Sequence, residues 1–126
     1  MENNRARRIL IIDDDVFIVR LISLILTKSE YEIISASSGK EAIAILSRQP
    51  VDMIIADLLM PEMDGLAFLH WLRQEANATM PTLVLTAMVT PDTEKQVMAA
   101  GATALLYKPI KVSDLLTKIK QLEQLI

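Results

Sequence analysis

The chain has 126 residues, enough for one compact domain over 1–126 and too few for two. With 52% hydrophobic residues and a net charge of −3, it can bury a core and lacks both the charge excess of a disordered chain and the basic surface that nucleic acid requires. The absence of cysteine excludes disulfides, thiolate zinc sites and a cysteine nucleophile, and a single histidine, His70, excludes multi-histidine metal sites. The polar, basic start has no apolar signal core behind it, and residues 1–7 are expected to be flexible. The most apolar helical stretch, 16–26, is interrupted by Arg20 and too short for a bilayer, so a cytoplasmic protein with no membrane contact is expected.

In chain order, an apolar run at 9–12 leads into a helical pattern at 16–28, and the alternation then repeats. Strand 32–36 precedes helix 39–48, 53–56 precedes 66–75, 83–85 precedes 91–100, and 102–106 precedes 113–125. Several strands are apolar at consecutive positions, the pattern of parallel strands covered on both faces. In the third helix Phe68, Leu69 and Leu72 share one side, His70 points away from them as an exposed polar residue, and Trp71 sits at the boundary as edge packing. Ser37 or Ser38 caps the second helix, Thr90 and Pro91 open the fourth, and Gly101 closes it. Five successive βα units define an α/β fold, a doubly wound parallel sheet with helices on both faces.

Ligands of such sheets bind beyond the carboxyl ends of the strands. There the sequence places Asp13, Asp14 and Asp15 after the first strand, Asp57 after the third, Thr86 after the fourth, and Lys108 before Pro109 after the fifth. Clustered carboxylates repel one another and call for a cation. The hard oxygen donors suit Mg²⁺, with water and phosphate oxygens completing its shell. A carboxylate can also attack phosphorus, and Lys108 and the Thr86 hydroxyl would then meet the phosphoryl oxygens. Asp15 by itself reads as a helix N-cap, and Asp64-Gly65 as the turn opening the third helix.

The runs Ile9-Leu-Ile-Ile-Asp13-Asp14-Asp15, Asp57-Leu-Leu-Met60-Pro61-Glu-Met-Asp64-Gly65, Leu85-Thr86-Ala87 and Lys108-Pro109-Ile110 together resemble the response-regulator receiver domains of two-component signalling, over essentially the whole chain. The resemblance implies a flavodoxin-like strand order 2-1-3-4-5 and a cis Lys108–Pro109 bond. It makes Asp57 the phospho-acceptor, and Asp13, Asp14, Asp57 and the Leu59 carbonyl the Mg²⁺ ligands. Thr86 becomes the switch hydroxyl and Lys108 the phosphate-contacting amine. The implied partner is a histidine kinase or phosphotransfer protein, and the output surface is the fourth helix, fifth strand and fifth helix, reaching an output domain or a second copy. On this reading the domain is no enzyme but a switch that catalyses its own phosphorylation and loses the group slowly.

Three positions depart from the common receiver pattern. Leu105 stands where many receivers carry a mobile aromatic ring, with Tyr107 two residues further on. Leu59 and Met88 are apolar where rapidly dephosphorylating receivers have polar side chains. Two other function classes compete. Asp13-x-Asp15 after a strand also resembles the nucleophile motif of haloacid-dehalogenase-type Mg²⁺-dependent phosphatases. That reading lacks its later acidic motif and leaves Asp57 without a role. An interaction module that never takes phosphate would not need the full acidic set. Val112, Leu115, Ile119, Leu122 and Ile126 form a 3-4-3-4 stripe, expected to pack on the sheet. Because the stripe runs to the last residue, a helix continuing in a longer protein and a dimer seam are expected alternatives.

Overall fold

The computed structural model describes residues 7–27, 30–60, 62–87 and 90–126. Five βα units follow one another: β1 (Arg8–Ile12), α1 (Val16–Leu26), β2 (Glu32–Ala36), α2 (Gly39–Leu46), β3 (Met53–Asp57), α3 (Gly65–His70), β4 (Thr82–Thr86), α4 (Pro91–Ala99), β5 (Ala104–Tyr107) and α5 (Val112–Glu123). A π-helical turn, Trp71–Glu75, extends α3. The strands form one parallel sheet in the order β2-β1-β3-β4-β5.

The consecutive apolar runs are explained by position in the sheet. Strands β3 and β4 are buried at every residue and β1 at all but Arg8, whereas the edge strands β2 and β5 are partly exposed. Side chains alternate between faces. Ile9, Ile11, Met53, Ile55, Leu83 and Leu85 meet Ile22 and Leu26 of α1 and Leu115, Ile119 and Leu122 of α5. Leu10, Ile12, Ile54 and Ala56 meet Ala42 and Ile45 of α2 and Phe68 and Leu72 of the α3 region. Val84 meets Leu69 and, from α4, Val97. Each fully buried aliphatic side chain contributes about 1.5–3 kcal/mol relative to leaving it in water. The two-sided core thus fixes which helix lies on which face.

Local chemistry sets the helix starts. Asp15 accepts from Phe17 N–H at 2.9 Å, Asp64 from Ala67 N–H at 2.8 Å and Thr90 from Thr93 N–H at 3.1 Å, each satisfying an N-terminal donor. Of the two candidate serines, Ser38 caps α2, while Ser37 donates its N–H and hydroxyl to the Glu41 carboxylate.

Several boundaries differ from expectation. The fifth strand runs over Ala104–Tyr107 rather than 102–106, because Ala102 belongs to the α4–β5 turn, where its N–H bonds Val97 C=O at 3.2 Å. Gly101 in that turn has φ +114°, a conformation side chains resist. Within the stripe of α5, Leu115, Ile119 and Leu122 pack on the sheet, while Val112 and Ile126 are exposed. Of the segment expected to be flexible, 1–6 lies outside the described residues, and Arg7 C=O accepts from Glu32 N–H at 2.8 Å. Among the described residues no helix is long and apolar enough to cross a membrane.

Candidate functional site

Strand pairing brings the acids together. Ile12 is in register with Ala36 on one side and Ala56 on the other, so Asp13 and Asp57 leave adjacent strands at the same level of the sheet. Carboxylate oxygens of Asp13, Asp14 and Asp57 lie within 4.8 Å of one another. Asp13 and Asp57 are buried and Asp14 is exposed, so the cluster opens to solvent on one side. Asp13 Oδ1 is held by the Asp15 backbone N–H at 2.9 Å.

Lys108 follows β5 and joins a bond network across the strand ends. Its N–H donates to Thr86 C=O at 2.8 Å, and its ammonium lies 3.2 Å from Asp13 Oδ2 and 3.3 Å from Asp57 Oδ1. The Lys108–Pro109 peptide bond is cis. Thr86 ends β4, fully buried, with Leu85 in register with Asp57. Leu59 is exposed, and its backbone is hydrogen-bonded to the Asp57 carboxylate. Met88 lies outside the described residues.

The electrostatics are unequal. Burial raises the Asp13 carboxyl above its ordinary value, with the Asp15 N–H and Lys108 opposing. Burial, and then the adjacent Asp13 charge, raise Asp57. Burial alone would lower Lys108, but Asp13 and Asp57 outweigh it and hold the ammonium above its ordinary value. Three carboxylates against one ammonium leave two negative charges in a pocket of hard oxygens. A divalent cation of the Mg²⁺ type fits that donor set in charge and chemistry.

The sequence marks Asp64-Gly65 as the turn opening the third helix. In the structure Asp64 caps α3, and Gly65 N–H bonds Leu58 C=O at 2.7 Å. A Cβ on Gly65 would lie 2.8 Å from both Asp57 O and Leu58 Cα. Gly65 therefore lets α3 start directly against the backbone that carries Asp57. The Asp-Gly pair at a helix start was the available signal, but only the tertiary approach shows what a side chain would strike. Leu105 packs beside Val84 with Leu69 and Val97, and Tyr107 is exposed, in register with Thr86.

With this geometry in place, comparison with known proteins gives the class. Residues 9–120 match the response regulator receiver domain family. The Transcriptional regulatory protein GlrR of Escherichia coli (strain K12) is 32% identical over 108 residues, which cover 86% of this chain and 24% of that protein. The probable transcriptional regulatory protein TcrX of Mycobacterium tuberculosis is 31% identical over 114 residues, covering 90% of this chain and 48% of that protein. The structure of the chemotaxis response regulator CheY4 of Vibrio cholerae superposes with a TM-score of 0.86 at 32% identity, covering 94% of this chain and 99% of that chain. The chain belongs to the response-regulator receiver family: it is a receiver domain, a phospho-accepting signalling switch. It spans between about a quarter and about half the length of these two curated relatives. Neither the phosphatase reading nor the module that never takes phosphate finds support in these matches.

Proposed function

We propose that Asp57 accepts the phosphoryl group, in the presence of Mg²⁺, from the phosphohistidine of a histidine kinase or phosphotransfer protein. The observation that carries this assignment is the position of Lys108, whose single ammonium lies within ion-pair reach of both buried carboxylates, Asp13 and Asp57. An Asp57 carboxylate oxygen forms the new O–P bond as the donor's N–P bond breaks, and the imidazole nitrogen leaves with the bonding pair. Asp13, Asp14, Asp57 and the Leu59 carbonyl would hold the cation, which would offset charge on the phosphoryl oxygens. Lys108 neutralises the opposite side, and Thr86 donates its hydroxyl once the group is in place. Burial of Asp57 restricts water, and Leu59 offers no side-chain hydrogen bond to orient an attacking one. The phosphorylated state is accordingly long-lived, and replacing Leu59 with Asn and Met88 with Glu shortens it.

The output surface is α4, β5 and α5, where Met98, Tyr107, Val112 and Leu116 expose apolar side chains to an output domain or a second copy. The reading is of one domain over 1–126, cytoplasmic and without nucleic-acid contacts of its own. Mass spectrometry after treatment with acetyl phosphate and Mg²⁺ tests the assignment. Wild type gains an acid-labile phosphoryl increment and Asp57→Asn does not. An undiminished increment in the variant overturns the role of Asp57.

A further inference from the structure

Arg73 sits at the other end of the sheet from the acidic cluster. In the π-helical turn Trp71–Glu75 its half-buried guanidinium donates four hydrogen bonds. Nε reaches Gly101 C=O at 3.0 Å, in the α4–β5 turn. Nη1 reaches Ala78 C=O at 3.0 Å, and Nη2 reaches Met80 C=O at 2.8 Å and the Thr82 hydroxyl at 3.1 Å. The planar, charged fork satisfies four neutral oxygens from three chain segments, which a lysine ammonium on a flexible stem does not reproduce. Approach to the turn is equally specific, since a Cβ on Gly101 would lie 2.5 Å from Arg73 Cγ. Thr82, the first residue of β4, is tied to the same turn from its other side: Thr103 N–H bonds Thr82 C=O at 2.8 Å, and Thr82 N–H bonds the Thr103 hydroxyl at 3.0 Å.

Helix α4 is anchored unevenly. It buries only Thr93 and Val97. Its C-terminal end leads into Gly101, held by a charge-assisted bond, which is stronger than a neutral one. Among the described residues its N-terminal end is held by neutral groups, the Thr90 cap and a 2.6 Å Thr90–Thr93 hydroxyl pair. Only three residues separate Thr86, at the acidic site, from Thr90.

We propose that Arg73 is the fixed end of a lever. It clamps the α4–β5 turn to the start of β4, so that a change at Thr86 moves the N-terminal end of α4 about a pivot at residues 100–101. The lever rests on the assignment of Asp57 as phospho-acceptor, whereas the clamp itself is a property of the resting protein. Arg73 touches no reacting group and acts as a positioning residue.

Amide hydrogen exchange, read residue by residue with and without Mg²⁺ and beryllofluoride as phosphoryl mimic, tests both parts. In wild type the mimic changes exchange at residues 90–94 while Gly101, Ala102 and Thr103 stay protected. In Arg73→Gln without the mimic, exchange at those three amides rises about tenfold or more, and with it the response spreads along α4. Wild type also gives a slowly exchanging Arg73 Nε–H resonance, a readout that survives if the variant does not fold. Unchanged exchange at 101–103 in Arg73→Gln, or a rapidly exchanging Nε–H, overturns the clamp. A wild-type response centred on 100–103 overturns the pivot. Bound beryllofluoride is followed separately by ¹⁹F NMR. Its absence overturns the phospho-acceptor assignment and the lever with it, while bound mimic without the α4 pattern overturns the lever alone.

Discussion

Replacing Gly65 with alanine tests how closely the proposed phosphorylation site depends on the start of α3. The new Cβ would lie 2.8 Å from Asp57 O and Leu58 Cα and 3.2 Å from Leu58 Cδ1, where ordinary contact begins at 3.4 Å. Two of these atoms are backbone, so α3 and the end of β3 must separate by about 0.6 Å. Overpacking of this kind destabilises by about 1–3 kcal/mol. A comparable displacement of a reacting group slows the chemistry by one to two orders of magnitude, to about 10²-fold for 1 Å. Gly65→Ala is therefore expected to lose about 1–3 kcal/mol in urea unfolding and to take up phosphate from acetyl phosphate at least about tenfold more slowly. Gly39→Ala is the matched control. Its Cβ would lie 2.8 Å from Met63 Sδ and 3.1 Å from Met63 Cγ, atoms of a flexible side chain that can turn aside. Alanine also favours a helix over glycine by about 0.8–1 kcal/mol, so this variant should stay within about 1 kcal/mol of wild type. Equal behaviour of the two variants in both assays would refute the proposed dependence of Asp57 on close approach at Gly65.

Four further expectations concern the site and its surroundings. Because Asp13 and Asp57 hold protons more tightly folded than unfolded, their contribution to stability is present below the ordinary carboxylate value of 3.8 and is lost as pH rises through the raised values. Asp57→Asn should therefore raise Tm in metal-free buffer at neutral pH, with the gain shrinking toward acid. Mg²⁺ at a hundred times its Kd should stabilise wild type by about 2.7 kcal/mol, and an unchanged Tm on adding the ion would reject the acidic cluster as its site. Glu62 has φ 68°, and its ion pair with Lys40 is exposed, so Glu62→Gly should stabilise by about 1 kcal/mol in urea unfolding; no gain would argue against strain there. Tyr107, beside Thr86 on the neighbouring strand, should show shifted ring resonances when beryllofluoride binds, and an unmoved ring alongside shifts at Thr86 would show that Tyr107 does not sense the state of the site.

The fold class was legible in the sequence because the central strands of a parallel sheet are covered on both faces, and Ile9-Leu-Ile-Ile and Met53-Ile-Ile-Ala record that burial directly. The candidate site residues were legible for a related reason: polar side chains that end apolar strands all fall at one rim. Distance in three dimensions was not legible. Lys108 lies 95 residues from Asp13 in sequence, and their ion pair exists because β5 ends beside β4 and the lysine reaches across the strand ends. The start of β5 was set by the turn at Gly101, whose φ is positive and whose C=O accepts from Arg73 of another helix, so no periodicity within 102–106 could reveal it. Gly39 and Gly65 both open helices, yet one faces a movable thioether and the other the backbone of Asp57. Local pattern reports how a residue fits its own element, and tertiary packing alone decides which atoms of another element lie against it.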